Sequence, residues 1–292
     1  MMYIMKDICC AAIHDISGLG KCSLTVALPV LSACGVETSV LPTAVLSTHT
    51  GGFENYVYVD LTKEMLPFAE HWENIGAKFD AVYTGFLGSA MQIEIVDRIF
   101  DIFKTDSNMV IIDPVMGDHG KLYPTYTEEM AQGVAGLCRR ADVLVPNMTE
   151  ASRILGFEYS DGPYTKDFIE DILKRLCDLG PERVVLTGVW FKEGELGSAC
   201  RDEKLNTSEY FMQTKIPGYF HGTGDLFAST LVGGLLCGAD LFKSADIATQ
   251  LTWKTIVTTA NAGGDLRFGP KFEVHIPWLS NLMEKTRNNL HN

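Results

Sequence analysis

An α/β fold is predicted for this 292-residue chain by three features: short apolar runs of strand length, helix-period segments between them, and a hydrophobic content of 46% that supports an extensive core. The runs "DICCAAI", "FDAVYTG", "NMVIID", "ADVLVPN" and "ERVVLTG" have the length and flanking signals of buried strands. Strands apolar on both faces predict a parallel sheet covered on each side. Between them, Ile95, Val96, Ile99, Ile102 and Phe103 share one helical face, as do Phe168, Ile169, Ile172, Leu173 and Leu176, with Gly180-Pro181 closing the second segment.

Two stretches interrupt the alternation. Val36 to Leu61 is rich in Thr, Val and Tyr and broken by Pro42 and Gly51-Gly52, which predicts short strands or a loop over a sheet edge, in the manner of a lid. Ser198 to Pro217 is polar and alternating, as short strands are. No internal repeat or low-complexity linker appears, so a single domain over residues 1–292 is expected, with the lid-like segment, about 36–61, inside it.

A formal charge of −13, with no offsetting Lys/Arg cluster, argues against a nucleic-acid partner. No segment approaches the ~20 uninterrupted apolar residues of a membrane span. The eight cysteines, Cys9, Cys10, Cys22, Cys34, Cys138, Cys177, Cys200 and Cys237, are scattered without a C-x-x-C pair. They are expected to be reduced thiols in an unsecreted, cytoplasmic protein with no membrane partner.

In open parallel sheets ligands bind outside the carboxyl ends of the strands, so the polar residues that follow each run are the candidates. In order they are His14-Asp15, Thr84-Gly85-Phe86, Asp113 with Asp118, Asn147 with Glu150, and Thr187. "DPVMGD" holds two carboxylates around a Pro and Gly loop. Hard oxygen ligands of that kind suit Mg²⁺, and the same pattern also serves an ordinary strand-ending turn. Glu150 equally suits a helix start.

The stretch "HGTGDLFAST" places Asp225 behind two glycines at the head of an apolar helix. Helix capping and an anion site both account for it, because free N–H groups and the helix dipole favour either a carboxylate or a phosphate. Combined with Asp113, Asp118 and Glu150, the set matches phosphoryl transfer: a base for a hydroxyl, N–H groups for developing charge, and acids near a magnesium nucleotide. No Walker A pattern is present, so the chemistry is not that of a P-loop enzyme.

"HGTGDLFAST" resembles the signature of the ribokinase-like superfamily, and "IIDPVMGDHGKLYP", "VPNMTEA", "TGFLGSA" and "STHTGG" together resemble its pyridoxal kinase branch, in matching order from Asp7 to about Gly263. The resemblance implies a three-layer α/β/α fold with a central, mainly parallel sheet and a small β lid. It implies ATP-dependent phosphorylation of the 5′-hydroxymethyl group of a B6 vitamer in vitamin B6 salvage. Asp225 takes the catalytic-base position, with the N–H groups of Gly222, Thr223 and Gly224 around the transferring phosphoryl. Asp113, Asp118 and Glu150 match the Mg²⁺ and triphosphate side, Tyr123 a phosphate contact, and Asn147 and Thr187 the nucleotide pocket. Asp15, His49, Thr50 and Phe86 match positions around the acceptor ring. ATP and Mg²⁺ are the implied cofactors, K⁺ near the anion-hole loop is a further one, and a homodimer is the implied assembly.

The chain departs from the family at Asp15, where many pyridoxal kinases have Ser, at Phe86, where many have Tyr, and in "SGLGKCS". An Asp at the first of these positions is familiar in hydroxymethylpyrimidine kinases of thiamine metabolism, which are the alternative reading. A vitamer- or nucleotide-binding protein without turnover is another, and a sugar or nucleoside kinase a third.

Overall fold

The computed structural model describes residues 7–289; the first six and last three positions of the expected 1–292 unit lie outside the described residues. The chain runs β1 (Cys9–Leu19), α1 (Leu24–Ala33), β2 (Glu37–Thr48), β3 (Tyr58–Asp60), α2 (Thr62–Asn74), β4 (Ala81–Thr84), α3 (Ala90–Phe103) and β5 (Met109–Ile112). A small hairpin follows, β6 (Gly117–Asp118) and β7 (Lys121–Leu122), then α4 (Glu128–Leu137), β8 (Val143–Leu144), α5 (Met148–Leu155), α6 (Lys166–Cys177) and β9 (Arg183–Val189). The rest is β10 (Glu195–Asp202), β11 (Thr207–Thr214), α7 (Thr223–Leu236), α8 (Leu241–Ala262) and α9 (Ile276–Asn289).

Nine strands form one sheet in the order β11-β10-β9-β8-β5-β4-β1-β2-β3. The six from β9 to β2 are parallel, and β10, β11 and β3 are antiparallel additions at the two edges. Strand alternation splits the core in two. Ala11, Ile13, Val82, Val110 and Ile112 join the layer under α2 to α6, whereas Cys10, Ala81, Tyr83 and Ile111 join the layer under α1, α7, α8 and α9. Both helical periodicities read from the sequence are realised: Val96, Ile99 and Phe103 of α3, and Ile169, Ile172, Leu173 and Leu176 of α6, are buried. Ser89 and Thr165 start these helices by accepting from the Gln92 and Phe168 N–H groups, each at 3.2 Å.

The order reverses at β1: the chain first moves outward to β2, then returns to the other flank with β4. The carboxyl ends therefore open into a crevice at this switch point. The 36–61 stretch is largely a long strand of the main sheet. Pro42 is accommodated because the β1/β2 register shifts between His14 and Ile16, so the ladder is already interrupted where its N–H is missing. Only β3 and the loop between the two strands stand at the edge. All eight cysteines are free.

α7 aims its N-terminus at the crevice from the centre of its layer. It is apolar all round, Leu226 to Leu235 are buried, and Gly233 lets it press on Cys34 at the end of α1, where any side chain would collide with the sulfur. Leu231 is fully enclosed. Leu231→Ala is expected to lower the unfolding free energy by about 2–5 kcal/mol, and a urea midpoint indistinguishable from wild type would contradict this packing.

Candidate active site

One cavity of about 590 Å³ lies along the carboxyl ends of the strands, and all of the sequence-predicted site residues line it: Asp15, His49, Thr50, Phe86, Asp113, Asp118, Tyr123, Asn147, Glu150, Thr187 and Gly222 through Asp225. His14, beside Asp15, is separated from it. Its ring is fully buried against Tyr83 at 4.4 Å, neither nitrogen is hydrogen-bonded among the described residues, and burial pushes its pKa down to about 3.

Gly222 is the N-cap of α7 with φ +77°, and a side chain there would run into the Lys21 carbonyl. The first helical bond that crosses this turn joins the Leu226 N–H to the Gly222 carbonyl, so the preceding N–H groups have no partner within the helix. Asp225 stands in this turn, and burial, with a smaller contribution from Asp15, pushes its carboxyl up to about 7; the Ser23 N–H directed at it acts in the opposite sense. A carboxylate beside unpaired N–H groups and poised near neutrality is suited to accept a proton while an adjacent anion is held.

Asp113 leaves β5 directly into the cavity. Burial holds its carboxyl well above the usual range, and Glu150 and Asp225 raise it further. Glu150 closes a capping box on α5: Oε2 accepts from the Asn147 N–H at 2.8 Å, and Asn147 Oδ1 accepts from the Glu150 N–H at 3.0 Å. Its other oxygen accepts from the Met116 N–H at 3.2 Å, which ties the β5–β6 loop to α5. Burial raises Glu150 to about 7 against these donors. The Asn147 amide is engaged as well, donating to the Gly117 carbonyl at 2.8 Å, so this residue shapes the cavity wall while lining it. Asp118 and Tyr123 flank the β6–β7 hairpin, and burial and Glu150 raise the Tyr123 hydroxyl far above its usual range.

At the β1–β2 end, Asp15 is buried and accepts hydroxyl bonds from Ser23 at 2.5 Å and Ser17 at 3.2 Å. Burial raises its pKa and the two serines oppose the rise. His49 Nε2 donates to the Arg267 carbonyl at 2.6 Å and its Nδ1 accepts from the Gly51 N–H at 3.1 Å, which sets the tautomer. Arg267 in turn donates to the Gly52 carbonyl at 3.1 Å. His221 lies 5.1 Å from His49, ring to ring, and Phe86 supplies an apolar wall against Tyr126. Ser17, Ser23 and His221 all line the cavity and were not singled out from the sequence. Ser23 carries no sequence signal, since its φ of +52° is unusual for a non-glycine residue and costs about 1–3 kcal/mol.

Six acids line the cavity, and among the described lining residues Lys215 is the one lysine or arginine. Among the described residues no group of three or more His, Cys, Asp or Glu is arranged to hold a metal ion unaided. Mg²⁺ commonly takes one or two carboxylates, with phosphate and water completing its shell. Asp113, whose carboxylate faces other acids, has the donor chemistry for such a shared ion.

The sequence model of the phosphomethylpyrimidine kinase family matches residues 28–269. The chain belongs to this family. Similar proteins include members named as pyridoxal kinases: one from Arabidopsis thaliana is 32% identical over 183 residues, covering 58% of this chain and 55% of that protein, so the match spans about half of the relative's length. A phosphomethylpyrimidine kinase family structure from Bacteroides thetaiotaomicron, described as a candidate member and crystallised in an orthorhombic form with pyridoxal, is 34% identical, with 96% of each chain covered and a TM-score of 0.88. Pyridoxal kinase from Lactobacillus plantarum is 29% identical, with 95% of this chain and 98% of that one covered and a TM-score of 0.86. The three-layer, mainly parallel fold expected from the resemblance is shared with these structures.

Because folding holds Asp113, Glu150 and Asp225 above the ordinary carboxylate range, the folded family member binds more protons than the unfolded chain between about pH 4 and pH 7. The stability linked to these groups is complete below that window and is lost as pH rises through about 7. Asp113→Asn is therefore expected to raise the melting temperature of the ligand-free protein by a few degrees near pH 8 and to change it little near pH 4. A lower melting temperature near pH 8 would remove the electrostatic penalty assigned to this cluster.

Proposed function

We propose that the protein transfers the γ-phosphoryl group of MgATP to the 5′-hydroxymethyl group of a B6 vitamer, pyridoxal, pyridoxamine or pyridoxine, as a step of vitamin B6 salvage. The observation that carries this reading is Asp225, partly buried behind the Gly222 turn with its carboxyl near neutrality, in the same cavity as Asp15 and His49. The pyridoxal kinase names of relatives and the pyridoxal in the Bacteroides crystal support the choice of acceptor.

In this mechanism the acceptor ring lies between Phe86 and the His49–Thr50 loop, with Asp15 at a ring nitrogen or ring hydroxyl. The vitamer hydroxyl attacks the γ-phosphorus, Asp225 takes its proton, and the bond to the β,γ-bridging oxygen breaks to release ADP. The N–H groups of Gly222, Thr223 and Gly224 stabilise the charge on the transferring phosphoryl. Tyr123 contacts phosphate, and Asn147 and Thr187 border the nucleotide. Asp113, Asp118 and Glu150 would hold Mg²⁺ directly or through water, and the bound ion neutralises triphosphate charge. Glu150 acts through its capping box, keeping the Met116–Asp118 loop in place.

The loop between β2 and β3 acts as the lid, closing over the acceptor against the Arg267 turn. Among the described residues no helix is long and apolar enough to cross a membrane, and the proposed setting is the cytoplasm. The proposed assembly is a homodimer. Leu19, Val45, Val57 and Val59 are exposed near the β2–β3 edge, a surface suited to a second copy.

ADP release is the direct test, using MgATP with pyridoxal, pyridoxamine, pyridoxine and hydroxymethylpyrimidine in parallel. Turnover with a B6 vitamer is expected, and Asp225→Ala should reduce it about 10²- to 10⁴-fold while leaving ATP binding nearly unchanged. Turnover with hydroxymethylpyrimidine alone would assign the protein to the thiamine-side reaction, and undiminished turnover in the variant would remove the base role. Asp15→Ser is expected to change the ranking of acceptors more than the KM for ATP, and an unchanged ranking would place Asp15 away from the acceptor.

A further inference from the structure

Ser89-Ala-Met-Gln92 is a capping-box pattern, in which the third helical residue ordinarily reaches back to the N–H of its own N-cap. The head of α3 departs from it. Ser89 Oγ accepts from the Gln92 N–H at 3.2 Å, but the Gln92 side chain turns elsewhere. Its Oε1 accepts from the Gly88 N–H at 2.7 Å, one residue further out. Its Nε2 donates to the Thr43 carbonyl at 2.9 Å, to Thr62 Oγ1 at 2.9 Å and to Asp60 Oδ1 at 3.1 Å. A backbone N–H at one end and a backbone carbonyl at the other fix which end of the amide is oxygen and which nitrogen.

Gln92 is fully buried, and its partners lie on two separate segments. Gly88 stands on the turn that leaves β4, two residues past Phe86, whereas Thr43, Asp60 and Thr62 belong to β2, β3 and the head of α2. The same two segments meet at neighbouring points. Thr43 Oγ1 donates to the Phe86 carbonyl at 3.3 Å, and a side chain at Gly88 would collide with the Tyr58 hydroxyl. The Thr43 carbonyl that receives Gln92 also accepts from the Leu61 N–H at 3.1 Å, which holds the end of β3 onto β2. Phe86 lines the cavity from one segment, and His49 and Thr50, just beyond β2, line it from the other. A buried amide costs free energy unless its bonds are made, and methionine would fill a similar volume without that requirement. What the amide adds is a fixed separation between the two segments.

We infer that Gln92 is a positioning residue for the acceptor: it fixes the Phe86–Gly88 turn against the β2–β3 pair and thereby sets the width of the cavity at the acceptor ring. The inference rests on the phosphotransfer reading for the identity of that acceptor. The hydrogen-bonded link itself does not depend on it.

Gln92→Met keeps the length of the side chain and removes all four of its bonds. Ser89→Ala is the control, since it weakens the same helix start and leaves the partners of the Gln92 side chain in place. The acceptor KM of Gln92→Met is expected to rise about tenfold, with the KM for ATP within about twofold of wild type. Ser89→Ala should lower the melting temperature and leave both KM values within about twofold. A smaller folded fraction lowers the apparent kcat and moves neither KM, so instability alone does not produce the split. Thr62→Val removes one partner from the α2 side and should raise the acceptor KM about two- to fourfold. It decides the matter if Gln92→Met does not fold. In a Phe86→Ala background the rise caused by Gln92→Met should shrink to about threefold or less, because the wall it positions is gone. A wild-type acceptor KM in Gln92→Met or in Thr62→Val, an equal rise in both KM values, a matching rise in Ser89→Ala, or an undiminished rise without the Phe86 ring would overturn the inference.

Amide hydrogen exchange in the ligand-free protein tests the link without any substrate. Gln92→Met should speed exchange at Gly88 and, across the link, at Leu61, each about tenfold relative to Ser89→Ala. Faster exchange at Gly88 with Leu61 unchanged would show that Gln92 serves its own turn only, and would overturn the inference whatever the wild-type turnover. Faster exchange at both positions beside absent wild-type turnover would count against the phosphotransfer reading alone.

Discussion

Buried negative charge at the carboxyl rim of the sheet is the constraint around which this molecule is arranged. Asp113, Glu150 and Asp225 come together where β5, α5 and α7 meet, all three held above the ordinary carboxylate range by burial. Backbone N–H groups of Met116 and Asn147 supply much of the compensation for Glu150. Asp113 faces the other two acids without a comparable donor among the causes acting on it. Its charge is left for something that enters with the substrate, and a magnesium nucleotide is a chemical match.

The surrounding fold makes that arrangement rigid. α7 is apolar on every side, so its position is set by packing on α1 and α8, and its N-terminal turn is held against the backbone of Lys21 by a glycine. Lys21 is anchored in turn, donating to the Pro270 carbonyl at 3.0 Å and pairing with Glu273 at 2.6 Å. The first loop, the α7 turn and the segment after α8 are thereby joined. Arg267 of that segment extends the connection to His49 and Gly52, which border the mouth of the cavity. A base fixed by these contacts, with a loop tied across the mouth, suits a site that must admit a substrate and then exclude water.

The sheet was legible because its central strands are apolar on both faces and their lengths are bounded by turn residues. The rim residues followed from one topological rule, since a polar residue just beyond a parallel strand has few places to be except the ligand crevice. What the sequence did not disclose depends on contacts far apart in the chain or on backbone angles. The Glu150 carboxylate serves Met116, 34 positions earlier, as well as its own helix. His49 is oriented by a carbonyl 218 positions away. The register shift between β1 and β2 turns Pro42 from a strand breaker into part of a long strand, and a composition-based reading sees only the proline. Ser23 is the clearest case: a serine before an apolar helix reads as an ordinary cap, yet its backbone has a positive φ and its hydroxyl donates to Asp15 instead of its own helix.

The most direct test is a crystal structure of the protein with pyridoxal, magnesium and a non-hydrolysable ATP analogue. The account places the 5′-hydroxyl oxygen within about 3 Å of an Asp225 oxygen, the ring beside Asp15 and Phe86, and the γ-phosphate against the N–H groups of the Gly222–Gly224 turn. A ring bound elsewhere in the cavity, or a γ-phosphate remote from that turn with Asp225 facing solvent, would contradict it.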